Sequence, residues 1–71
     1  MSSQVQAEMV ANVMQVVVTP GTQVAIGDTL VVLESMKMEI PVLAETAGVV
    51  TAVGVREGDV VQEGDVLIEI D

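Results

Sequence analysis

The chain has 71 residues, 51% of them hydrophobic, and contains no cysteine, no histidine and no aromatic residue. This length allows one domain with a small core, and the absence of thiols excludes a disulfide or a thiolate-bound metal as a staple. A net charge of −9 argues against nucleic acid and an anionic membrane as partners, while the lack of His and Cys leaves no obvious catalytic pair and only carboxylates for a metal.

The amino-terminal segment, MSSQVQAE, lacks the basic start and apolar centre of a signal peptide, and no apolar run approaches the length of a membrane span. We therefore expect the protein in the cytoplasm. Residues 1–4 are expected to be loose, and residues 5–71 are expected to form the single domain.

An internal repeat organises most of the chain. Residues 10–34 align with residues 47–71 at an offset of 37, with 8 identities in 25 pairs that include Gly27-Asp28 with Gly64-Asp65. Each unit reads as strand, Gly turn, short strand, Gly-Asp turn, strand, and the 17 valines favour strands. The repeat predicts an all-β fold in which two short antiparallel sheets face each other as a flattened barrel or sandwich with quasi-two-fold symmetry.

The spacing of apolar residues predicts details within the strands. Valines in the first strand of each unit step by three and then by two, at positions 13, 16, 18 and 50, 53, 55. A regular strand steps by two, so we expect bulges near Met14–Gln15 and Thr51–Ala52. In the last strand of each unit, strict alternation would turn Val31, Leu33 and their counterparts to one face and Leu67 to the other.

The segment between the two units, residues 35–46, carries the only lysine of the chain, Lys37. A two-residue turn at Met36-Lys37 pairs side chains so that every apolar residue falls on one face, and a slip of one residue breaks this arrangement. The pairs are Ser35 with Met38, Leu33 with Ile40 and Val31 with Val42. This register predicts Lys37 at the tip of a tight hairpin.

Two features of this hairpin conflict with stability alone. Tight two-residue turns favour Asn-Gly or Asp-Gly because both positions need positive φ, so Met36-Lys37 is a strained choice. The same register sets Glu34 opposite Glu39, where like charges repel. Such violations cluster at functional sites. The spacing alone leaves open a longer turn with a solvated lysine and two ordinary surface glutamates.

The hairpin sequence, Glu34-Ser35-Met36-Lys37-Met38-Glu39, resembles the attachment motif of biotinyl carrier domains in the biotin/lipoyl attachment family, whose hallmark is Ala/Ser-Met-Lys-Met. The resemblance covers residues 5–71 and includes the Gly-Asp turns and the segment Ala47-Gly48-Val49-Val50. The chain is similar in particular to the small stand-alone biotinylated carrier proteins of bacteria. This resemblance implies two four-stranded antiparallel sheets related by a quasi-two-fold axis.

The resemblance also implies a function: a non-catalytic biotin carboxyl carrier, with biotin bound covalently to Lys37. Its implied partners are a biotin protein ligase, a biotin carboxylase and a carboxyltransferase, between which the carboxyl group is carried. Met36 and Met38 are then expected at the cofactor, and Glu34, Ser35 and Glu39 in recognition of the hairpin. For Met38 core packing stays an alternative, and Met9 and Met14 are expected to fill the core.

Two other functions stay open. A lipoyl carrier shares the fold, although that family typically has Asp-Lys-Ala where this chain has Met36-Lys37-Met38. The second is a structural or regulatory module that binds a ligase or carboxylase without carrying a carboxyl group.

Overall fold

The computed structural model describes residues 3–71, and in this part of the chain eight strands form two antiparallel sheets of four strands each. The first sheet has the order β1-β8-β6-β3 and the second the order β5-β4-β2-β7. This confirms the predicted fold class. Within the same residues, no helix has the length and apolarity to cross a bilayer. The strands are β1 (Ser3–Gln6), β2 (Ala11–Val16), β3 (Gln23–Val24), β4 (Thr29–Ser35), β5 (Met38–Leu43), β6 (Gly48–Val53), β7 (Val60–Val61) and β8 (Val66–Ile70).

The 37-residue offset of the sequence repeat also relates the backbone hydrogen bonds. The Gly27 N–H donates to the Ala44 carbonyl at 2.8 Å, and its counterpart, the Gly64 N–H, donates to the Ala7 carbonyl at 2.9 Å. The Ala44–Asp28 bond likewise has its counterpart between Ala7 and Asp65. The two sheets are therefore repeats of one unit, and β1 is the equivalent of β5.

The pairing of β1 with β8 corrects the expectation that residues 1–4 are loose. Ser3 and Gln4 lie in β1, where they pair with Ile70 and Glu69 of β8, so the expectation is wrong for these two residues. Residues 1 and 2 lie outside the described part of the chain. The domain therefore begins at least two residues before the predicted boundary.

The predicted bulges are confirmed at both positions. The pairing of β2 with β4 shifts between Val13 and Gln15, and the pairing of β6 with β8 shifts between Val50 and Ala52. A second pair of irregularities skips Leu30 in β4 and its counterpart Leu67 in β8. The expectation that Leu67 faces away from the core is wrong, because the strand departs from strict alternation there and Leu67 is buried.

The core between the sheets is built from aliphatic side chains of both repeats, and among residues 3–71 no polar side chain is buried. Small and β-branched residues let the sheets approach closely and restrict side-chain rotation, so the scaffold is stiff. The buried set is Ala7, Ala11, Val13, Val18, Val24, Leu30, Val31, Leu33, Ala44, Val50, Val61, Leu67, Ile68 and Ile70.

Tight turns with glycine connect the short strands. In Ala25–Asp28 the Asp28 N–H donates to the Ala25 carbonyl, Gly27 has φ 94°, and Asp28 Oδ2 accepts the Ala25 N–H at 2.8 Å. Positive φ at the third position is typical of a type II turn, and it favours glycine. The same arrangement recurs in Gln62–Asp65, so both predicted Gly-Asp turns are confirmed, and an aspartate side chain closes each of them.

The close approach of Gly48 to the end of β8 generates a stability prediction. A Cβ atom at position 48 would lie 2.6 Å from the Asp71 carbonyl oxygen and 2.8 Å from Ile70 Cγ2. That oxygen accepts the Val49 N–H at 2.9 Å and cannot move without disturbing this bond. We expect Gly48→Ala to lower the free energy of unfolding by about 1–3 kcal/mol in urea denaturation.

The matched control is Gln23→Ala, an exposed position in β3, which pairs with the same strand β6. Its free energy of unfolding should stay within about 0.5 kcal/mol of the unchanged protein. Equal stability of Gly48→Ala and the control would contradict the close packing at Gly48.

Candidate functional site

The hairpin of β4 and β5 has the predicted register. Ser35 pairs with Met38, Leu33 with Ile40 and Val31 with Val42. Val31 and Leu33 are buried, and Ile40 and Val42 pack against the core. Because a shift of one residue would turn these side chains to the solvent, core packing determines which two residues occupy the turn.

The turn residues are Met36, with φ 54°, and Lys37, with φ 65°. Among residues 3–71 these two are the only non-glycine residues with positive φ. Positive φ at both central positions defines a type I′ turn, and each costs an L-residue about 1–2 kcal/mol relative to the right-handed region. The longer turn left open by the sequence is therefore wrong, and the predicted strain is present.

The side chains around the turn are held in the solvent. Lys37 is exposed, and the flanking methionines are among the most exposed apolar residues, with Met36 at 91% and Met38 at 62%. Core packing does not explain Met38, because strand β5 extends past the last buried layer there. Met9 and Met14 are also exposed, so the expectation that they fill the core is wrong.

Two acidic residues lie at the base of the turn. Glu34 pairs directly with Glu39, and both are on the outer face of the hairpin because their neighbours Leu33 and Ile40 face inward. Like charges in opposite strand positions destabilise a sheet. The arrangement places two negative charges on the surface beside the lysine.

The structure thus brings all the predicted site residues together in one continuous hairpin, listed in chain order as Glu34, Ser35, Met36, Lys37, Met38 and Glu39. Their individual roles stay predictions. Within the described chain no group of three acidic residues is placed to hold a metal ion. What the hairpin presents is an exposed primary amine at a turn whose position is determined by the packing below it.

Comparison with known proteins identifies the family. Residues 2–70 match the family model described as "Biotin-requiring enzyme". The chain belongs to this family. It is 57% identical over 70 residues to the "Biotinylated protein TB7.3 homolog" of Mycobacterium leprae, with 99% of each chain covered. It is 47% identical over 66 residues to the "Biotin/lipoyl attachment protein" of Bacillus subtilis, covering 93% of this chain and 90% of that protein.

A solved structure of a single-chain, multi-domain long-chain acyl-CoA carboxylase contains the same fold. The likeness has a TM-score of 0.90 at 34% identity and covers 96% of this chain but 7% of the carboxylase. The resemblance to biotinyl carrier domains is confirmed by these findings. This member of the family is thus similar to whole small proteins and also to one domain of a much larger enzyme.

The strain in the turn generates a second stability prediction. Asparagine tolerates positive φ better than methionine, because its short polar side chain forms local hydrogen bonds. Met36→Asn should therefore raise the free energy of unfolding by about 0.5–1 kcal/mol, measured by urea denaturation.

The control is Met38→Asn, the same change two residues away, in strand β5. Asparagine is disfavoured in strands, so this variant should be no more stable than the unchanged protein. Lower stability of Met36→Asn would mean that residue 36 does not have the left-handed conformation.

Proposed function

We propose that this protein is a biotin carboxyl carrier in which Lys37 bears covalent biotin. The observation that carries the proposal is the single lysine of the chain, exposed at a left-handed turn between two exposed methionines. Membership of the biotin-requiring family and near full-length similarity to a protein named as biotinylated support it.

The chain's own residues supply a nucleophile and a support. The Lys37 amine in its neutral form attacks the carbonyl carbon of an acyl-adenylate delivered by a ligase. The amide C–N bond forms, the bond of the mixed anhydride breaks with AMP as the leaving group, and the nitrogen loses a proton. Biotin, once attached, supplies a ring that accepts a carboxyl group and releases it to an acceptor. The stiff sheets below the turn keep the attachment point fixed, so the attached group has a defined origin for its movement.

The neighbours of Lys37 are proposed to act in recognition. Met36 and Met38 offer flexible, polarizable side chains at the attachment point, where they can pack against the cofactor or an enzyme surface. The Glu34–Glu39 pair is proposed to accept a basic group of the ligase, and Ser35 to set the spacing between this pair and the turn.

The proposed partners are a biotin protein ligase, a biotin carboxylase and a carboxyltransferase. Their support is the presence of this fold within a long-chain acyl-CoA carboxylase, of which it forms a small part. We propose that this protein is the non-catalytic component of such a system and acts without nucleic acid or membrane. The cytoplasmic location stays a prediction.

Replacement of Lys37 tests the proposed modification directly. Protein purified from its native host should react with avidin, and Lys37→Arg should abolish this reaction. The unfolding midpoint of the variant should equal that of the unmodified protein, because the exposed side chain keeps the positive charge of the free lysine. Intact mass spectrometry should find one biotinyl group on the unchanged protein and none on the variant.

The same experiment decides between the alternatives. A lipoyl group in place of biotin would identify a lipoyl carrier, and complete absence of a modification would favour a regulatory module. A biotinyl group that persists in Lys37→Arg would overturn the assignment of the site.

Truncation of the methionines tests their proposed role. Met36→Ala and Met38→Ala should fold normally, since both side chains lie largely in solvent, but each should slow biotinylation or carboxyl transfer about tenfold. The control is Met9→Ala, which removes an exposed methionine outside the hairpin and should leave both rates unchanged. Equal rates in all three variants would show that the flanking methionines serve no partner or cofactor.

A further inference from the structure

The repeat provides an internal comparison between the outer faces of the two sheets. The outward positions of β2, β4, β7 and the part of β5 at residues 40–43 have equivalents, 37 residues away, in the first sheet. Both faces have the same backbone pairing, so a difference between them does not arise from the requirements of the fold.

At five outward positions the residue of the second sheet is more apolar than its equivalent in the first sheet. The second sheet carries apolar residues where the first carries polar ones, and we call these five residues the apolar outer face. They are Met14, Val32, Pro41, Leu43 and Val60, and the residues at the equivalent positions are Thr51, Glu69, Gln4, Gln6 and Gln23. The exchange runs in the opposite direction at two positions, where Val49 corresponds to Asn12 and Ala52 to Gln15.

The apolar outer face lies across β2, β4, β5 and β7. Val32 pairs with Pro41 on one side and with Gln15 on the other, and Met14 occupies the bulge of β2 next to Gln15. The exposed fraction is 45% for Met14, 46% for Leu43 and 65% for Val60, so little covers these side chains. Large apolar side chains clustered on an exposed sheet face mark interaction sites in soluble proteins.

This surface is continuous with the hairpin that holds Lys37. The next row of outward residues toward the tip contains Asn12, Glu34 and Glu39, with Val60 adjacent to Asn12 on β7. Beyond that row come only the Ser35–Met38 pair and the turn itself. The apolar outer face is therefore bordered, on the side of the lysine, by two glutamates in direct opposition.

We propose that the apolar outer face is the docking surface of the biotin protein ligase. The inference rests on the proposed function, and it specifies the occupant as an apolar patch flanked by an arginine or lysine that lies against Glu34 and Glu39. A cation there would relieve the repulsion between the two carboxylates.

The short distance between the strands and the Lys37 amine favours the ligase over enzymes that act on the attached group later. The ligase must bring its reaction centre to the Lys37 amine, one side chain away from the turn, so its surface must contact the strands that carry the turn. An enzyme that acts on the attached group meets it at the end of a longer arm. Close contact with the scaffold is therefore required first by the enzyme that makes the attachment.

Exchange of residues between equivalent positions tests the proposal without changing the charge. The variant combines Met14→Thr, Leu43→Gln and Val60→Gln, each taken from the same position of the other repeat. The control makes the reverse exchange on the first sheet, with Thr51→Met, Gln6→Leu and Gln23→Val. Both triple variants should fold, because each new residue already occupies an equivalent position in this molecule.

The measurement is the rate of biotinylation of unmodified protein by purified biotin protein ligase with biotin and ATP, followed by intact mass. We expect the KM of the first variant to rise about tenfold with kcat within about twofold, and both constants of the control to stay within about twofold. Should the triple variant unfold, Val60→Gln alone changes the most exposed of the three positions and should raise KM in the same direction.

An unchanged KM in the first variant, or an equal rise in both triple variants, would overturn the docking proposal. Sedimentation covers the case in which a second copy of the chain occupies the face. If the unchanged protein self-associates, the first variant does not, and the KM is the same for both, the docking proposal is likewise overturned. Failure of the carrier function gives a different result, because Lys37 of the unchanged protein would then receive no biotin. If only the docking proposal fails, Lys37 of the unchanged protein still receives biotin, and the first triple variant has a KM no higher than that of its control.

Discussion

The structure depends on the cross-strand packing of β4 against β5. Val31 and Leu33 are buried and their partners Ile40 and Val42 pack against the core, so the register of the hairpin is determined by apolar burial several residues below the tip. This register leaves residues 36 and 37 as the two residues of the turn. Met36 and Lys37 therefore have left-handed backbone conformations, which are unfavourable for both residue types. The result is an exposed amine at the tip of the hairpin.

The two sheets share one backbone arrangement but differ in what their equivalent strands lead to. In the second sheet β4 and β5 continue past the Leu33–Ile40 pair into the hairpin that presents Lys37, whereas the equivalent pair of the first sheet, Ser3 with Ile70, is the outermost pair described for β1 and β8. The symmetry makes the differences informative. The polar residues of the first sheet are sufficient for this fold, and the apolar outer face of the second sheet together with the strained turn is the part that folding does not require. The two sheets thus share one core and differ in the residues of their outer faces.

Much of this could be predicted from the sequence because side-chain alternation limits strand pairing. The hairpin register, the position of Lys37, the bulges and the Gly-Asp turns all followed from spacing. Strand β1 did not, because Ser3–Gln6 contains one apolar residue among polar ones and has the composition of a loop. The available signal was the repeat itself, since Val5, Ala7 and Glu8 are identical to the residues 37 positions later.

The remaining errors have a common physical cause. Residue type indicates that a side chain prefers to be buried, but burial depends on what lies above it. Met14 is at a bulge on the outside of the second sheet, so its apolar side chain has no layer to cover it. The burial of Leu67 depends in the same way on a local shift of pairing between β8 and β1, which alternation within one strand does not specify.

Solution NMR of the unmodified protein measures the geometry of the turn most directly. Strong contacts between the amide and α protons within residues Met36 and Lys37, together with cross-strand contacts between Ser35 and Met38, are expected from positive φ and a two-residue turn. Negative φ at either residue, or a mobile loop without the Ser35–Met38 contact, would contradict the central claim that core packing forces Lys37 into a strained, exposed tip.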